Sequence, residues 1–201
     1  MKFARIFLVR HGEVINHKKI IYGYLPVPLS PKGKAQAKKA GLFLKKQKIG
    51  AIFASPMKRT QETAKIIKKM IGGKVRIITD KNLRESGLGH ATEGATRQDF
   101  MNKYKKLCYL YNRFPAKVNA GGENLAGMAG RILKAVDKGI KKYPGQNLVF
   151  VSHRDPILAT LLRISKRNFN DLHKVQAICD KGSICEVWSI GKKLVNKTYL
   201  A

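Results

Sequence analysis

Two histidines and two arginines stand where β-rich runs of this chain give way to loop or helix. Arg10-His11-Gly12 follows the first such run, Ser152-His153 follows a late one, and Arg59 lies in the first turn of a helix opening near Ser55-Pro56. Together they point to phosphate. A guanidinium presents a fixed fork of donors that matches phosphate oxygens and keeps its charge. A neutral imidazole with a free ring nitrogen is a nucleophile toward phosphorus. Phosphoryl transfer asks mainly for positioning and for neutralisation of the equatorial oxygens. Two arginines, a second histidine and the N–H groups of a helix end supply both. Arg59 is informative because a cation is unfavourable in a first helical turn unless an anion sits there too. Metal is the rival for paired histidines. Arg10 and Arg154, adjacent to His11 and His153, disfavour another cation, and His17, His90 and His173 complete no ligand spacing. Neither metal nor cofactor is expected.

Such groups need a scaffold whose strand ends converge. Phe3 to Val9, Ala51 to Ala54, Val75 to Thr79 and Asn147 to Ser152 read as strands. Lys34 to Gln47, Ser55 to Met70, Thr96 to Asn112, Glu123 to Tyr143 and Pro156 to Arg163 read as helices. Ser55 would cap the second helix with Pro56 in its first position, and Asp155 and Pro156 would do the same for the last. In the fourth, Leu125, Ala129, Ile132, Val136 and Ile140 form an apolar stripe, and Arg131, Lys134, Lys138, Lys141 and Lys142 a basic face. Ser183 to Ile190 and Leu194 to Leu200 read as a hairpin turning at Gly191-Lys192. Alternating strands and helices predict a three-layer α/β/α sandwich over a largely parallel, mixed central sheet. In such sheets ligands bind beyond the carboxyl ends of strands. The 201 residues read as one domain, with an excursion around 86–121 that shapes substrate choice.

The charge is lopsided: 41 Lys plus Arg against 12 Asp plus Glu, a net +29. That field attracts anions. The basic pairs are scattered over different elements, so at most weak, non-specific nucleic-acid binding is expected. Apolar residues at 44% suit a globular chain. Three cysteines, an odd number, fit a reduced cytoplasmic protein, with Cys179 and Cys185 as small core residues. The N-terminal run is too short for a signal peptide, and no stretch is long enough to span a membrane.

Phe7-Leu8-Val9-Arg10-His11-Gly12-Glu13 resembles the N-terminal signature of the histidine phosphatase (phosphoglycerate-mutase-like) superfamily. Tyr22-Gly23, Pro28-Leu29-Ser30 and Gly33 through Gln36-Ala37 resemble the segment that follows it. In order, Ser55-Pro56 with Arg59 and Glu62-Thr63-Ala64 resemble its second motif, Leu83-Arg84-Glu85 with Gly89 and Gly94 its acid loop, and Gly122-Glu123 followed by Val151-Ser152-His153 its C-terminal part. Five ordered matches over nearly the whole chain are specific. The resemblance implies that His11 becomes phosphorylated and that Arg10, Arg59 and His153 bind the transferring group. It makes Glu85 the general acid that protonates the leaving oxygen and then helps activate water. There are departures. Val14 stands where many members have Ser or Thr, Tyr24 where Arg is frequent, and Arg154 where Gly is common. An asparagine frequent six residues after the nucleophile sits one earlier, as Asn16, and is a candidate phosphate contact.

Three functions are compatible with these residues. The first is a phosphomonoesterase acting on small phosphorylated metabolites. The second is a phosphoglycerate mutase; dedicated mutases of the family carry longer insertions and tails, so this short chain points to hydrolysis. The third is a non-catalytic basic module that binds a polyanion. The full set of His11, Arg10, Arg59, Glu85 and His153 argues against it.

Overall fold

The structure is a computed structural model that describes residues 3–87, 92–119, 122–191 and 193–198. Gly89, His90, Lys192 and Leu200 lie outside the described residues. The strands are β1 (Phe3–Arg10), β2 (Ile49–Ala54), β3 (Arg76–Thr79), β4 (Asn147–Ser152), β5 (Ile184–Ile190) and β6 (Lys193–Asn196). The helices are α1 (Pro31–Lys45), α2 (Lys58–Ile71), α3 (Arg97–Lys103), α4 (Lys105–Arg113), α5 (Leu125–Lys142) and α6 (Arg154–Ile164). The six strands form one sheet in the order β3-β2-β4-β1-β5-β6. β1 to β4 are mutually parallel, and the final pair runs antiparallel, β5 on β1 and β6 on β5.

Alternation along β1 shows why both faces are covered. Ile6 and Leu8 join the core under α5 and α6, whereas Phe7 and Val9 join the one under α1 and α2. A parallel strand buried on both faces reads as an unbroken apolar run, as β1 and β4 do. The expected three-layer mixed sandwich is thus the observed fold. Among the described residues no helix is long and apolar enough to cross a membrane. Cys179 and Cys185 are buried, and all three cysteines are free.

Several element starts differ from the sequence reading. α1 begins at Pro31, with the Ser30 hydroxyl accepting from Gly33 N–H at 3.0 Å. α2 begins at Lys58 rather than at Ser55-Pro56, and its cap residue Met57 makes no side-chain bond. α6 begins at Arg154, so Asp155 and Pro156 lie inside its first turn, and Asp155 binds Tyr111 and Arg154 instead of capping. The expected Thr96 to Asn112 helix breaks at Tyr104 (φ −119°, ψ 43°) into α3 and α4. Neither of these helices buries a residue. The 86–121 excursion thus has little core of its own, with half-buried Tyr111 packed against the main one.

One backbone contact fixes how α1 meets the loop after β1. A Cβ on Gly33 would lie 1.9 Å from the Glu13 carbonyl oxygen, and one on Gly12 would lie 2.3 Å from that of Gly33. Gly33→Ala should therefore destabilise the protein by about 2 kcal/mol or more. Gly130, inside α5, would meet only the end of Arg163 at 3.7 Å. Gly130→Ala should raise stability by about 0.5–1 kcal/mol through lost unfolded-state freedom. Denaturant unfolding of the two variants checks the opposite signs.

Candidate active site

β1 delivers Arg10 and His11 to the sheet edge where β4 delivers Ser152 and His153. His11 N–H donates to the Ser152 carbonyl at 3.1 Å, which locks the two strand ends together. Both imidazoles are buried, with ring centres 5.2 Å apart. His11 Nδ1–H donates to the Gly12 carbonyl at 2.7 Å, which leaves Nε2 with the free lone pair. His153 Nδ1 accepts from an Arg59 Nη2–H at 3.3 Å, so its Nε2–H donates to the Ser55 hydroxyl at 2.9 Å. The Ser55 side chain, expected to cap α2, holds this histidine instead.

Burial above all holds the His11 pKa well below the usual histidine range, and the cations Lys181 and Arg59 push the same way. Burial and then Arg59 do the same to His153. Both rings are therefore neutral near pH 7, and His11 presents an uncharged ring nitrogen with a free lone pair. Glu85 Oε2 comes within 3.5 Å of His153 Nδ1. With His153 neutral, that approach is not an ion pair. Burial, aided by the Asp155 charge, raises the Glu85 pKa against the pull of Arg59. An upward shift is the direction that suits a general acid.

The arginines carry the clearest signal of a ligand. Arg59 is fully buried in the first turn of α2, donating through Nη2 to the Gly23 carbonyl at 2.8 Å. Arg10 donates through Nη1 to the Cys179 carbonyl at 2.7 Å. The Nε–H of each is buried and has no acceptor. A buried charged donor left unpaired is costly, and an anion between the two would satisfy both. Ligand atoms of His11, Glu85 and His153 lie within 4.8 Å of one another. With Arg10, Arg59 and Lys181 acting on the same space, Coulomb's law favours an anion over a cation there.

Other expected residues take different parts. The Asn16 amide is engaged at both ends by the Ile20 backbone, accepting at 3.0 Å and donating at 2.9 Å. It lines the site cavity, but a phosphate contact would need one of those bonds to break. Arg154 is tied to Asp155 at 2.9 Å and to the Tyr111 hydroxyl at 3.1 Å. Arg131, read as part of a basic outer face, is buried. It donates to the carbonyls of Asn82 at 2.7 Å, Arg84 at 2.6 Å and Glu85 at 3.3 Å, and grips the Glu123 carboxylate through Nε and Nη2. The helical wheel held the clue: positions 128, 131 and 135 share one side of α5, and Met128 and Ala135 are core residues. Arg131 is thus the clamp that sets the loop bearing Glu85.

The site opens into a cavity of about 660 Å³. Arg10, Glu85 and Tyr22 lie at one end, and Phe100, Met101, Leu107 and Met128 make much of its wall apolar. A second cavity of about 700 Å³, among Leu133, Asp137, Arg163 and Leu194, holds none of these groups.

The profile of the histidine phosphatase superfamily (branch 1) matches residues 6–198. Phosphoglycerate mutase-like protein 4 of Arabidopsis thaliana is 35% identical over 156 residues, 75% of this chain and 66% of that protein. Phosphoserine phosphatase 1 of Hydrogenobacter thermophilus is 31% identical over 158 residues, 78% of this chain and 74% of that protein. In fold, the chain is similar to YhfR of Bacillus stearothermophilus, with a TM-score of 0.88, 23% identity, and coverage of 97% of this chain and 96% of that one.

Two substitutions test the geometry. Arg59→Ala should lower the phosphatase rate about a hundredfold or more, and Lys58→Ala, which removes an exposed charge one residue away, only slightly. Arg131→Met removes the donor of the Asn82 and Arg84 carbonyls and leaves Glu123 with Arg84 alone, at 3.5 Å. It should cost about 3 kcal/mol in denaturant unfolding and lower kcat through the displaced Glu85 loop.

Proposed function

This chain belongs to the histidine phosphatase superfamily, and from that premise we propose that it hydrolyses phosphomonoesters of small metabolites through a phosphohistidine on His11. The observation that carries this reading is the pair of buried, unpartnered Arg10 and Arg59 Nε–H groups beside a neutral histidine nucleophile. The phosphoryl group binds between the two guanidiniums. Its negative charge raises the proton affinity of His153, which then donates to a phosphoryl oxygen. His11 Nε2 forms a bond to phosphorus as the bond to the ester oxygen breaks. Glu85 gives its proton to that oxygen, and the alcohol leaves. The resulting Glu85 carboxylate takes a proton from a water, whose oxygen attacks phosphorus. The P–N bond breaks, phosphate departs and His11 is again neutral. No step calls for a metal.

The apolar cavity favours hydrolysis over mutase chemistry. A mutase must retain a small, densely charged ester while it reorients; here Phe100, Met101, Leu107, Val118 and Met128 line much of the cavity, beside polar groups such as Lys19, Arg97 and Asn112. The same walls suit a substrate with a bulkier, less polar body. Three free cysteines fit a reducing compartment such as the cytosol.

A brief incubation with substrate should leave acid-labile, base-stable phosphate on His11, and His11→Ala should trap none. Label retained in His11→Ala would refute the nucleophile. Glu85→Gln should keep most phosphoenzyme formation from an aryl phosphate, whose leaving oxygen needs little protonation, and lose it from an alkyl phosphate. Equal losses on both would remove Glu85 from the acid role. Activity should survive a chelator.

A further inference from the structure

Lys181 reaches the site from the segment that leads into β5. Because β5 runs antiparallel to β1, its beginning, not its end, lies at the edge where His11 sits. The segment wraps that edge. Gly182 N–H donates to the His11 carbonyl at 3.2 Å, Arg10 N–H to the Ser183 carbonyl at 3.1 Å, and the Arg10 side chain to the Cys179 carbonyl. Gly182 has φ 76°, and a Cβ there would come within 2.7 Å of Gln36, so the chain passes α1 tightly just after Lys181.

The Lys181 ammonium donates to the Tyr22 hydroxyl at 2.9 Å and lies 5.6 Å from the centre of that ring. The Arg59 guanidinium lies 4.8 Å from the same ring centre. Tyr22 is therefore shared by two cations, one of them a phosphate ligand in the reading above. Arg10 of β1, Arg59 of α2 and Arg154 of α6 all act on the ammonium, and Glu85 is the acidic group whose field favours its charge. Burial first, and then Arg10, lower its pKa to about 7. An ammonium crowded by guanidiniums and bonded to a neutral phenol gains little from the protein alone. A dianion between His11 and Arg59 would supply the missing counter-charge.

We propose that Lys181 is a third cationic contact to the transferring phosphoryl group, brought to the nucleophile's side by the start of the antiparallel strand and aimed by Tyr22. The proposal rests on the phosphatase reading above. By linkage, an anion that binds the ammonium raises its proton affinity, and loss of that proton weakens the anion. Lysine at this position thus couples phosphate binding to pH near neutrality, which an arginine would not do.

The test uses p-nitrophenyl phosphate, whose leaving group keeps Glu85 from governing the pH profile. The wild-type kcat/KM, which reports the free enzyme, should fall as pH rises through about 7. That fall should move upward in kcat, where bound substrate holds the proton. Lys181→Arg should keep activity and shift the fall in kcat/KM upward by about two pH units or more. Lys181→Met, checked for folding by thermal melting, should lose about a hundredfold at pH 6 and show no such fall. A fall that stays in place in both variants, or a Lys181→Met enzyme as active as wild type, would overturn the proposal. His11→Ala separates the two readings. A wild type that hydrolyses no phosphomonoester overturns the phosphatase reading and activity that persists in His11→Ala overturns its nucleophile, whereas activity abolished there but unchanged in both Lys181 variants overturns Lys181 alone.

Discussion

Incompletely compensated positive charge, buried at Arg59 and half-buried at Arg10 and Lys181, is the constraint around which the structure is arranged. Arg59 is fully buried, Arg10 ends in a buried unpaired Nε–H, and Lys181 stands near both. Only part of this is neutralised from within. Main-chain carbonyls of Gly23 and Cys179 accept from the guanidiniums, and Arg154 is taken up by Asp155. Glu85 offsets only part of the difference: its field favours the charges of Lys181 and Arg59, but it is one carboxyl among several cations. The site is thus held short of negative charge, which an anion would supply. Burial keeps His11 unprotonated and the same cations add to it, so the field that attracts an anion also helps to hold the ring neutral.

Holding such a site open requires a rigid frame, and the sheet provides it. The register of β1 on β4 sets Arg10 opposite Ser152, so each histidine follows one member of a paired couple. The Ser152 hydroxyl reaches the Leu83 carbonyl at 2.8 Å and ties the loop carrying Glu85 to β4. Arg131 grips that loop from α5. His11 and Glu85 therefore belong to one body despite their separation along the chain.

Much of this was legible in the sequence because strand ends are. The apolar runs ending in Arg10-His11 and Ser152-His153 locate two corners of the site before any coordinate is known, and Arg59 in a first helical turn locates a third. The remainder was hidden for specific reasons. A rule that looks for ligands at the carboxyl ends of parallel strands passes over Lys181, which precedes an antiparallel one. A basic residue on a helix reads as solvated, so Arg131 went to the outer face although its angular position put it with Met128 and Ala135. Ser55 looked like a helix cap because serines before prolines often are; His153 competed for its hydroxyl, and that pairing depends on tertiary structure. The break at Tyr104 left no glycine or proline to mark it.

The helices α3 and α4 have an evolutionary consequence. They wall the cavity with Phe100, Met101 and Leu107 yet bury no residue in either core. Changes there disturb little that the fold depends on, since surface substitutions away from packed groups typically shift stability by about 0.5 kcal/mol or less. Substitutions in this cap can therefore reshape the cavity while the buried cluster of His11, Arg59 and His153 is left as it is. A lineage built this way diversifies its substrates without passing through unstable intermediates.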